Sequence, residues 1–361
     1  MTYIDNALAL ISGPAREKAA RHIISSSATV IEALRALNAL SGSSLTLFAA
    51  DESGRIAGTL TDGDIRRGML AGIDTSRPLA DILHTDFLAI REDDDPFLAF
   101  DTARKKGIRL LPRLFDGKLL SLHDLHVEKT ILPLDAVLMA GGRGERLRPL
   151  TLSRPKPLLP VGGKAIIDYN VEELEKCGIA SIFVTINYLG ELISEHFRSR
   201  ASRAHIRCVS EPKRLGTIGS LSLVAPQLSE PDLIVMNSDL LTTLDYEAFF
   251  RHHKATGADL TIAAVPYSVS VPYAILKTED DHLLGLEEKP TFNYLANGGV
   301  YILKRELVGR IPADTYVDAP DFISALIEDG LKVAYFPIDG TWIDIGTPND
   351  YQYADRLMSQ R

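Results

Sequence analysis

The sequence contains little of what would tie it to a membrane, a disulfide scaffold or a nucleic acid. Its 361 residues include two cysteines, Cys177 and Cys208, too few for a framework and without metal-ligand spacing. No apolar run approaches the ~20 residues of a membrane span, and Met1–Gly13 lacks the basic start of a signal peptide. Acidic residues outnumber basic ones by 48 to 39. We therefore expect a reduced, cytoplasmic protein that binds neither membrane nor nucleic acid through a broad basic surface.

Length and composition indicate a globular protein of more than one domain. Hydrophobic residues make up 45% and charged residues 24% of the chain, close to the average for soluble domains. At ~150 residues per domain, the chain is long enough for two or three. The residue pattern changes at Ile131–Leu134, beside Pro133. We therefore predict a first part of residues 1–130 and a second part of residues 134–361.

The first part contains a weak internal repeat. Residues 29–71 predict a helix, two strands around a turn, and a second helix that begins at Asp64. Residues 96–129 predict the same order again, with a final helix from Asp124. We take these as two copies of one module, at about 14–73 and 74–130.

A turn in the first copy resembles the ligand-binding turn of CBS-domain pairs. Gly58-Thr59-Leu60-Thr61-Asp62-Gly63-Asp64 fits the G-x-x-T-x-x-D pattern of that family, and the resemblance implies that Thr61 and Asp64 hold the ribose of an adenosine nucleotide. The alternative is that the same two residues only cap a helix. Ser121 and Asp124 stand at these positions in the second copy without the matching glycine, so we expect at most one nucleotide per pair. A pair that only mediates self-association stays open as well.

The second part alternates strand and helix. Apolar runs predict buried strands at 136–140, 181–186, 233–236 and 260–265, with helices near 167–177, 189–198 and 245–256. This alternation is typical of an α/β fold with a mainly parallel sheet, in which ligands bind at the carboxyl ends of the strands.

A glycine- and arginine-rich loop follows the first of these strands. Gly141-Gly142-Arg143-Gly144 opens it, and five basic side chains against one acid lie between residues 143 and 156. Backbone amides and cations in an acidic protein indicate a polyphosphate site. The loop lacks the third glycine of a dinucleotide-binding fold and is not a Walker loop.

Six motifs in order, the loop among them, resemble those of the sugar-1-phosphate nucleotidyltransferases. The other five are Glu211–Gly219, Asn237–Asp239, Glu287–Pro290, Asn297–Tyr301 and Trp342–Pro348. The resemblance implies a Rossmann-like, GT-A-like α/β domain preceded by the tandem CBS pair. It also implies Mg²⁺-dependent transfer of a nucleotidyl group from an NTP to a sugar 1-phosphate, with release of pyrophosphate, by a protein that forms homo-oligomers.

The resemblance also implies roles for individual residues. Lys156 and Arg146 would be catalytic, and Lys156 is expected to be an exposed cation of the loop. Asp239 and Asp344 would hold the metal. The reaction needs no catalytic histidine. The remaining assignments are Gly141, Gly142, Arg143, Glu211, Gly216 and Thr217 for the nucleotide, and Glu288, Lys289 and Asn297 for the sugar phosphate. His252-His253 is expected on a solvated helix face.

The substrates stay open in the sequence. The loop and the Glu211 segment resemble guanylyltransferases, so GTP is favoured and UTP is next. The order of the two parts resembles the glucosamine-1-phosphate guanylyltransferases of legionaminate-type pathways, which implies a role in surface-glycan synthesis. Ser238, Ile218 and Ala274 depart from the family pattern, and Ala274 is expected to face the sugar.

Two other functions compete with this one. The first is an adenosine-nucleotide sensor whose transferase half is inactive. The second is a glycosyltransferase of related fold, although Asp239-Leu240-Leu241 lacks the second aspartate of a D-x-D metal motif.

Overall fold

The chain divides into two compact units, the first ending at Ile131 and the second beginning at Leu132. The computed structural model describes residues 2–11, 13–40 and 44–360. Among these residues, no helix combines the length and the apolar character that crossing a bilayer requires.

The first unit consists of short helices and strands. Its described helices are α1 (Tyr3–Ala7), α2 (Gly13–Ala20), α3 (Val30–Ala39), α4 (Asp62–Leu70) and α5 (Pro96–Lys105). Its described strands are β1 (Ile23–Ser25), β2 (Thr46–Ala50), β3 (Ile56–Thr61), β4 (Leu110–Phe115) and β5 (Lys118–Asp124).

The same strand pairing occurs twice in this unit. β1 pairs parallel with β2, and β2 pairs antiparallel with β3. In the second copy Ile90 forms a parallel bridge with Arg113 of β4, and β4 pairs antiparallel with β5. Each copy therefore has an extended segment, a helix and a two-stranded ribbon in the same order, whereas among the described residues the final helix of the predicted repeat is present in the first copy alone, as α4.

The helix predicted from Asp124 is wrong. Asp124 is the last residue of β5, and only one turn follows, in which the amides of Val127 and Glu128 donate to the Asp124 carbonyl. The Glu128 carboxylate bonds the ring of His123 at 2.8 Å. This side-chain bond fixes the turn against the strand end, and the chain enters the second unit four residues later.

The second unit contains longer strands and helices. Its described helices are α6 (Ile166–Lys176), α7 (Gly190–Ser199), α8 (Leu221–Val224), α9 (Tyr246–Thr256), α10 (Ala319–Glu328) and α11 (Pro348–Ser359). Its described strands are β6 (Leu134–Ala140), β7 (Pro160–Val161), β8 (Lys164–Ala165), β9 (Ser181–Ile186), β10 (His205–Ser210), β11 (Asp232–Asn237), β12 (Leu240–Thr242), β13 (Leu260–Ser270), β14 (Ile275–Glu279), β15 (His282–Glu287), β16 (Thr291–Lys304), β17 (Val333–Pro337) and β18 (Trp342–Asp344).

A seven-stranded sheet forms the centre of this unit, in the order β10-β9-β6-β11-β16-β13-β17. All neighbours pair in parallel except β16, which runs antiparallel to both β11 and β13. β6, β9 and β11 are buried along nearly their whole length, as expected for strands covered on both faces. The predicted mainly parallel α/β sheet is confirmed.

The expectation for His253 is wrong. Its side chain is 2% exposed, and its Nδ1 lies 2.8 Å from the Thr261 hydroxyl on β13. Its Nε2 lies 3.8 Å from the buried Asp232 carboxylate on β11. The polar partners under α9 explain the burial, because a histidine can enter a core when its ring nitrogens are satisfied. His252 packs beside the ring of Phe336, with centroids 5.5 Å apart.

Candidate active site

The glycine-rich loop lies directly after β6, at the carboxyl end of the sheet. A Cβ on Gly141 would lie 2.7 Å from Oε1 of Glu211, so a larger residue would collide with that carboxylate. Gly144 has φ of +59°, and its carbonyl accepts a 2.8 Å hydrogen bond from the Thr151 hydroxyl. The loop is therefore fixed in a shape in which glycines approach the neighbouring strand ends closely.

A cavity of about 470 Å³ opens beside this loop. Ten of the residues that the sequence singled out line it together: Gly141, Gly142, Arg143, Arg146, Lys156, Glu211, Gly216, Thr217, Asp239 and Asp344. They come from the segments after β6, β10 and β11 and from the end of β18. The carboxyl ends of parallel strands are where an α/β sheet binds ligands.

Strand pairing brings the two predicted metal ligands together. Asp239 follows β11 and immediately precedes β12, and Leu240 of β12 pairs with Asp344 of β18. The Ile345 amide also donates to the Asp239 carbonyl at 3.3 Å. Residues more than 100 positions apart in the chain therefore present two carboxylates to one point of the cavity.

Lys156 lies between these carboxylates. Its ammonium contacts the Asp239 carboxylate and lies 3.5 Å from Oδ1 of Asp344. The residue begins a 3₁₀ turn at Lys156–Leu158 and is 8% exposed, so the expectation of an exposed loop cation is wrong. The two acids explain its burial, since a buried ammonium requires a close negative partner.

The second predicted catalytic cation lies beside the same acids. The Arg146 guanidinium packs against Gly346, where a Cβ would lie 3.2 Å from its Nη2. Burial, then the negative charge of Asp239, raises the pKa of Asp344, and the charges of Lys156 and Arg146 oppose that rise. The site therefore contains two acids that repel each other and two cations that offset the repulsion.

The Glu211 segment is held by a second loop that the sequence did not reveal. Gly216 has φ of +83°, and a Cβ there would lie 2.4 Å from the Val317 carbonyl. The Thr217 amide donates to Asp318 at 3.0 Å, and the Thr217 hydroxyl accepts from the Ala319 amide at 2.7 Å. Thr217 therefore lines the cavity and also bonds the first turn of α10.

Glu211 lies against the start of the glycine-rich loop. Its carboxylate accepts from the Leu215 amide at 3.3 Å. Burial raises the pKa of Glu211, and the bonds to Leu215 and Thr185 and the charge of Arg214 oppose the rise. A buried acceptor beside backbone amides suits the hydrogen-bond donors of a nucleotide.

The three predicted sugar-phosphate residues are not in the cavity lining. Glu288 and Lys289 are exposed in the turn between β15 and β16, and Lys289 has φ of +46°. The Asn297 side chain accepts a 2.9 Å hydrogen bond from the Gly299 amide. Asn297 lies near the cavity, because its bonding partner Gly299 is close to a residue of the lining. A Cβ on Gly299 would lie 2.5 Å from the side chain of the cavity-lining Asn237.

Residue patterns alone missed two cavity residues with useful chemistry. Arg214 lines the cavity, and its guanidinium lies 5.8 Å from the ring centroid of Tyr316. Asn237 presents an amide beside Asp239 at the end of β11. Both stand inside motifs that were recognised, so their position beside Glu211 and Asp239 was the available signal.

The first unit contains a separate cavity of about 500 Å³. Thr61, Asp62 and Gly63 line it together with Arg66 and Arg109. Asp64 is not in its lining, because its carboxylate accepts from the Thr61 amide and hydroxyl at 2.7 and 2.6 Å and pairs with Arg67. Thr61 and Asp64 thus form a capping box at the start of α4.

The sheet and its cavity define an α/β protein with a glycine- and arginine-rich loop and a carboxylate pair at the carboxyl ends of its strands. The chain belongs to the nucleotidyl transferase family, whose model matches residues 135–361. It is 32% identical to the mannose-1-phosphate guanyltransferase of Schizosaccharomyces pombe, with 60% of this chain and 62% of that protein covered.

Two further proteins are similar to this chain. The chain is 31% identical to the mannose-1-phosphate guanylyltransferase of Mycobacterium tuberculosis, over 60% of this chain and 62% of that protein. It spans about three fifths of the length of these relatives. The crystal structure of HddC from Yersinia pseudotuberculosis is 27% identical, covers 62% of this chain and 99% of its own, and superposes with a TM-score of 0.49.

Proposed function

We propose that this protein transfers a nucleotidyl group from an NTP to a sugar 1-phosphate and releases pyrophosphate. The observation that carries the proposal is the meeting of Lys156, Arg146, Asp239 and Asp344 in one cavity behind a glycine-rich loop. Loop amides and cations suit a triphosphate, and the acid pair suits a bridging cation. Family membership and the named activities of the relatives support the same reaction.

The reaction needs positioning and charge neutralisation more than acid–base chemistry. A phosphate oxygen of the sugar 1-phosphate attacks the α-phosphorus, that new P–O bond forms, and the bond to the departing pyrophosphate breaks. A phosphate monoester is already anionic at neutral pH, so no general base is required. Lys156 would neutralise charge on the α-phosphate and Arg146 charge on the leaving pyrophosphate.

The acid pair fits a hard divalent cation. Burial and the neighbouring Asp239 raise the pKa of Asp344, so a further cation beside the pair would favour the ionised form of that carboxyl. Mg²⁺ binds through one or two carboxylates and completes its shell with water and phosphate oxygens. Asp239 and Asp344 would hold it, and it would supply charge neutralisation at the phosphates. In the described residues no third histidine, cysteine or acid joins them, which fits a cation shared with the substrate.

The glycosyltransferase alternative is the weaker of the two transferase functions. It gives no role to Lys156 and Arg146, which converge on the acid pair. The inactive-sensor alternative is also disfavoured, because Lys156, Arg146, Asp239 and Asp344 all line the cavity.

For the substrates we propose GTP and a hexose 1-phosphate. The relatives' names support the guanylyl group and mention mannose 1-phosphate, while the order of the two parts favours glucosamine 1-phosphate and a surface-glycan pathway. Glu288, Lys289 and Asn297 would contact the sugar phosphate. Because Glu288 and Lys289 lie outside the cavity lining, the turn that carries them has to approach the substrate for this role.

A matrix of nucleotides against sugar phosphates tests the proposal. GTP, UTP, dTTP, CTP and ATP are each incubated with Mg²⁺ and mannose, glucosamine, glucose or heptose 1-phosphate. Mass spectrometry should detect an NDP-sugar and an equal amount of pyrophosphate, with GTP the best donor. Absence of product in every cell, with the protein folded, would contradict the proposed reaction.

For the first unit we propose a tandem CBS pair that binds one adenosine nucleotide in its 500 Å³ cavity. The repeated strand pairing supports the fold, and the cavity beside Thr61 with Arg66 and Arg109 supports an anionic ligand. In the second copy the Ser121 hydroxyl lies 2.9 Å from the ring of His123, which also bonds Glu128. Ser121, the counterpart of Thr61, therefore already has a side-chain partner. This favours a single ligand.

Calorimetric titration of AMP, ADP and ATP separates this proposal from a pair that only self-associates. Wild type should bind one equivalent, and Arg109→Ala and Thr61→Ala should bind at least tenfold more weakly. Asp64→Asn tests the ribose role of Asp64 separately, since Asp64 is engaged in the capping box. No binding by wild type would remove the nucleotide site.

A further inference from the structure

The Asp239 carboxylate is carried by a peptide that lies beyond the paired part of the central sheet. The pairing of β11 with β16 ends at Met236, and its pairing with β6 ends at Asn237. Ser238 and Asp239 follow, and β12 begins at the next residue. Strand pairing therefore does not extend to the peptide between Ser238 and Asp239, and the direction of the carboxylate depends on other contacts.

The backbone around Asp239 is held by hydrogen bonds from neighbouring elements. The Ser238 hydroxyl donates to the Met139 carbonyl near the end of β6, at 2.7 Å. The Ile345 amide donates to the Asp239 carbonyl at 3.3 Å. The side-chain amide of Asn170 donates to the Ser238 carbonyl, also at 3.3 Å. The peptides before and after Asp239 are therefore both bonded, and α6 supplies one of these contacts through Asn170.

Asn170 is a polar side chain on a mostly apolar helix face. It is 3% exposed, and Ile167, Val171 and Leu174 of the same helix are buried with it. Burying an amide costs free energy unless the amide is hydrogen-bonded, whereas a leucine of similar size would be buried without that cost. The bond to the Ser238 carbonyl therefore gives a reason for an asparagine at this position.

The helix that carries Asn170 is fixed on the strands that adjoin the two acids. Ile166, in the first turn of α6, belongs to one buried cluster with Leu241 of β12 and Ile343 of β18. Ile166 and Asn170 are four residues apart, so they lie on the same face of the helix. The apolar contact therefore fixes α6, and the amide one turn later bonds the peptide that carries Asp239.

We propose that Asn170 is a positioning residue of the cation site, acting through the Ser238 carbonyl on the direction of the Asp239 carboxylate. The inference rests on the proposed function, since it requires that Asp239 and Asp344 share a cation. Mg²⁺ demands near-ideal octahedral geometry, so two carboxylates can share it only when both are aimed at one point. Groups that orient metal ligands typically contribute about 10–100-fold to metal affinity.

Binding of Mn²⁺ to the full chain, measured by electron paramagnetic resonance without nucleotide, tests the inference. Mn²⁺ takes the same carboxylate and water ligands as Mg²⁺. Asn170→Leu keeps the size of the side chain and removes the donor, and its Kd for Mn²⁺ should be about 10–100-fold higher than that of wild type. Asn187→Leu is the matched control, because the Asn187 amide donates to the Glu211 carbonyl at 3.0 Å. It removes the same kind of bond away from the acid pair and should bind Mn²⁺ as wild type does.

A second readout separates positioning from a merely structural role. In the transfer reaction, Asn170→Leu should raise the Mg²⁺ concentration that gives half-maximal rate, and kcat should recover at high Mg²⁺. A kcat that is lowered equally at every Mg²⁺ concentration would contradict positioning. Circular dichroism checks folding, and Asn170→Ala is the second variant, with the same expected loss of Mn²⁺ affinity.

The outcomes distinguish this inference from the proposed function. A wild type that binds no Mn²⁺ would contradict the acid pair as a cation site and would overturn the inference with it. If wild type binds Mn²⁺ and the folded Asn170 variants bind it equally well, the inference alone is overturned. Equal weakening by Asn170→Leu and Asn187→Leu would overturn it too, because the effect would then not depend on the peptide beside Asp239.

Discussion

Lys156 is the residue on which the proposed chemistry depends most. Its ammonium is the cation nearest to both Asp239 and Asp344, and it is held in a 3₁₀ turn with little exposure. A positive charge fixed before the reaction begins costs no reorganisation when negative charge develops on a phosphate. The contacts that bury the Lys156 ammonium therefore also fix it in the position that the proposed chemistry requires.

Replacing Lys156 with methionine should lower kcat by about 10²–10³-fold, because one preorganised charge contributes that much to a transition state. The variant also leaves two acids without their nearest cation, so its melting temperature should fall. Steady-state kinetics at saturating substrate, corrected for the folded fraction, measures the first effect. Lys164→Met removes a cation paired with Glu172 at 2.6 Å outside the cavity and is the matched control. Similar kcat values for the two variants would contradict the role of Lys156.

Asp239 and Asp344 should behave as a unit. Asp239→Asn and Asp344→Asn are each expected to abolish Mg²⁺-dependent turnover, and the double variant should be little worse, since groups sharing one ion are not additive. Asp344→Asn should melt higher than wild type, because burial and Asp239 raise the pKa of that carboxyl and a neutral amide relieves both effects. Additive losses in turnover, or activity that persists in chelator, would show that no shared cation is involved.

At the scale of elements, one wall of the cavity, at Gly216 and Thr217, is held in place by a loop far away in the chain. The Leu215 carbonyl accepts from the Val317 amide at 2.9 Å, and the Ile218 amide donates to the Val317 carbonyl at 3.1 Å. Gly216 fits because its Cβ position is occupied by that carbonyl group. The glycine is therefore required by a close backbone approach as well as by its positive φ.

Gly216→Ala should destabilise the second unit by roughly 1–3 kcal/mol, the usual cost of a strained backbone, and it should raise KM for the nucleotide as the wall moves. Gly309→Ala is the control, since nothing lies within 4 Å of its Cβ position and its φ is ordinary. Chemical denaturation and initial-rate kinetics measure the two effects. Equal stability of both variants would mean that the contact with Val317 does not constrain this loop.

Local patterns predicted the elements of the second unit well. Ser181–Ile186 is the strand that was expected, and α6, α7 and α9 begin and end within one residue of the predicted ranges. Buried parallel strands and amphipathic helices leave strong periodic signals, and a motif places its residues at a strand end. Ten of the site residues predicted from these motifs line one cavity.

What the sequence did not reveal depends on contacts between distant segments. The burial of Lys156 follows from two acids more than 80 positions away, and that of His253 from Asp232 and Thr261 on the strands beneath α9. Asp318 supports Thr217 from 101 positions away. The helix predicted from Asp124 was wrong because a side-chain bond between Glu128 and His123 stabilises a single turn there.

At the scale of the whole molecule, each unit has a cavity of its own, about 500 Å³ in the first and 470 Å³ in the second. If the first binds an adenosine nucleotide, linkage requires that its effect on substrate binding be reciprocal. Such couplings are typically about 1–3 kcal/mol, or roughly 5–150-fold in affinity.

The fate of the phosphorus atoms of the nucleotide distinguishes nucleotidyl transfer from every other use of GTP. GTP labelled at the α-phosphorus and GTP labelled at the γ-phosphorus are each incubated with sugar 1-phosphate and Mg²⁺, with Lys156→Met as the inactive control. We predict that α-label appears only in the NDP-sugar and γ-label only in pyrophosphate, in equal amounts. Label from the γ-position in inorganic phosphate or in the sugar, or α-label that never leaves GTP, would contradict it.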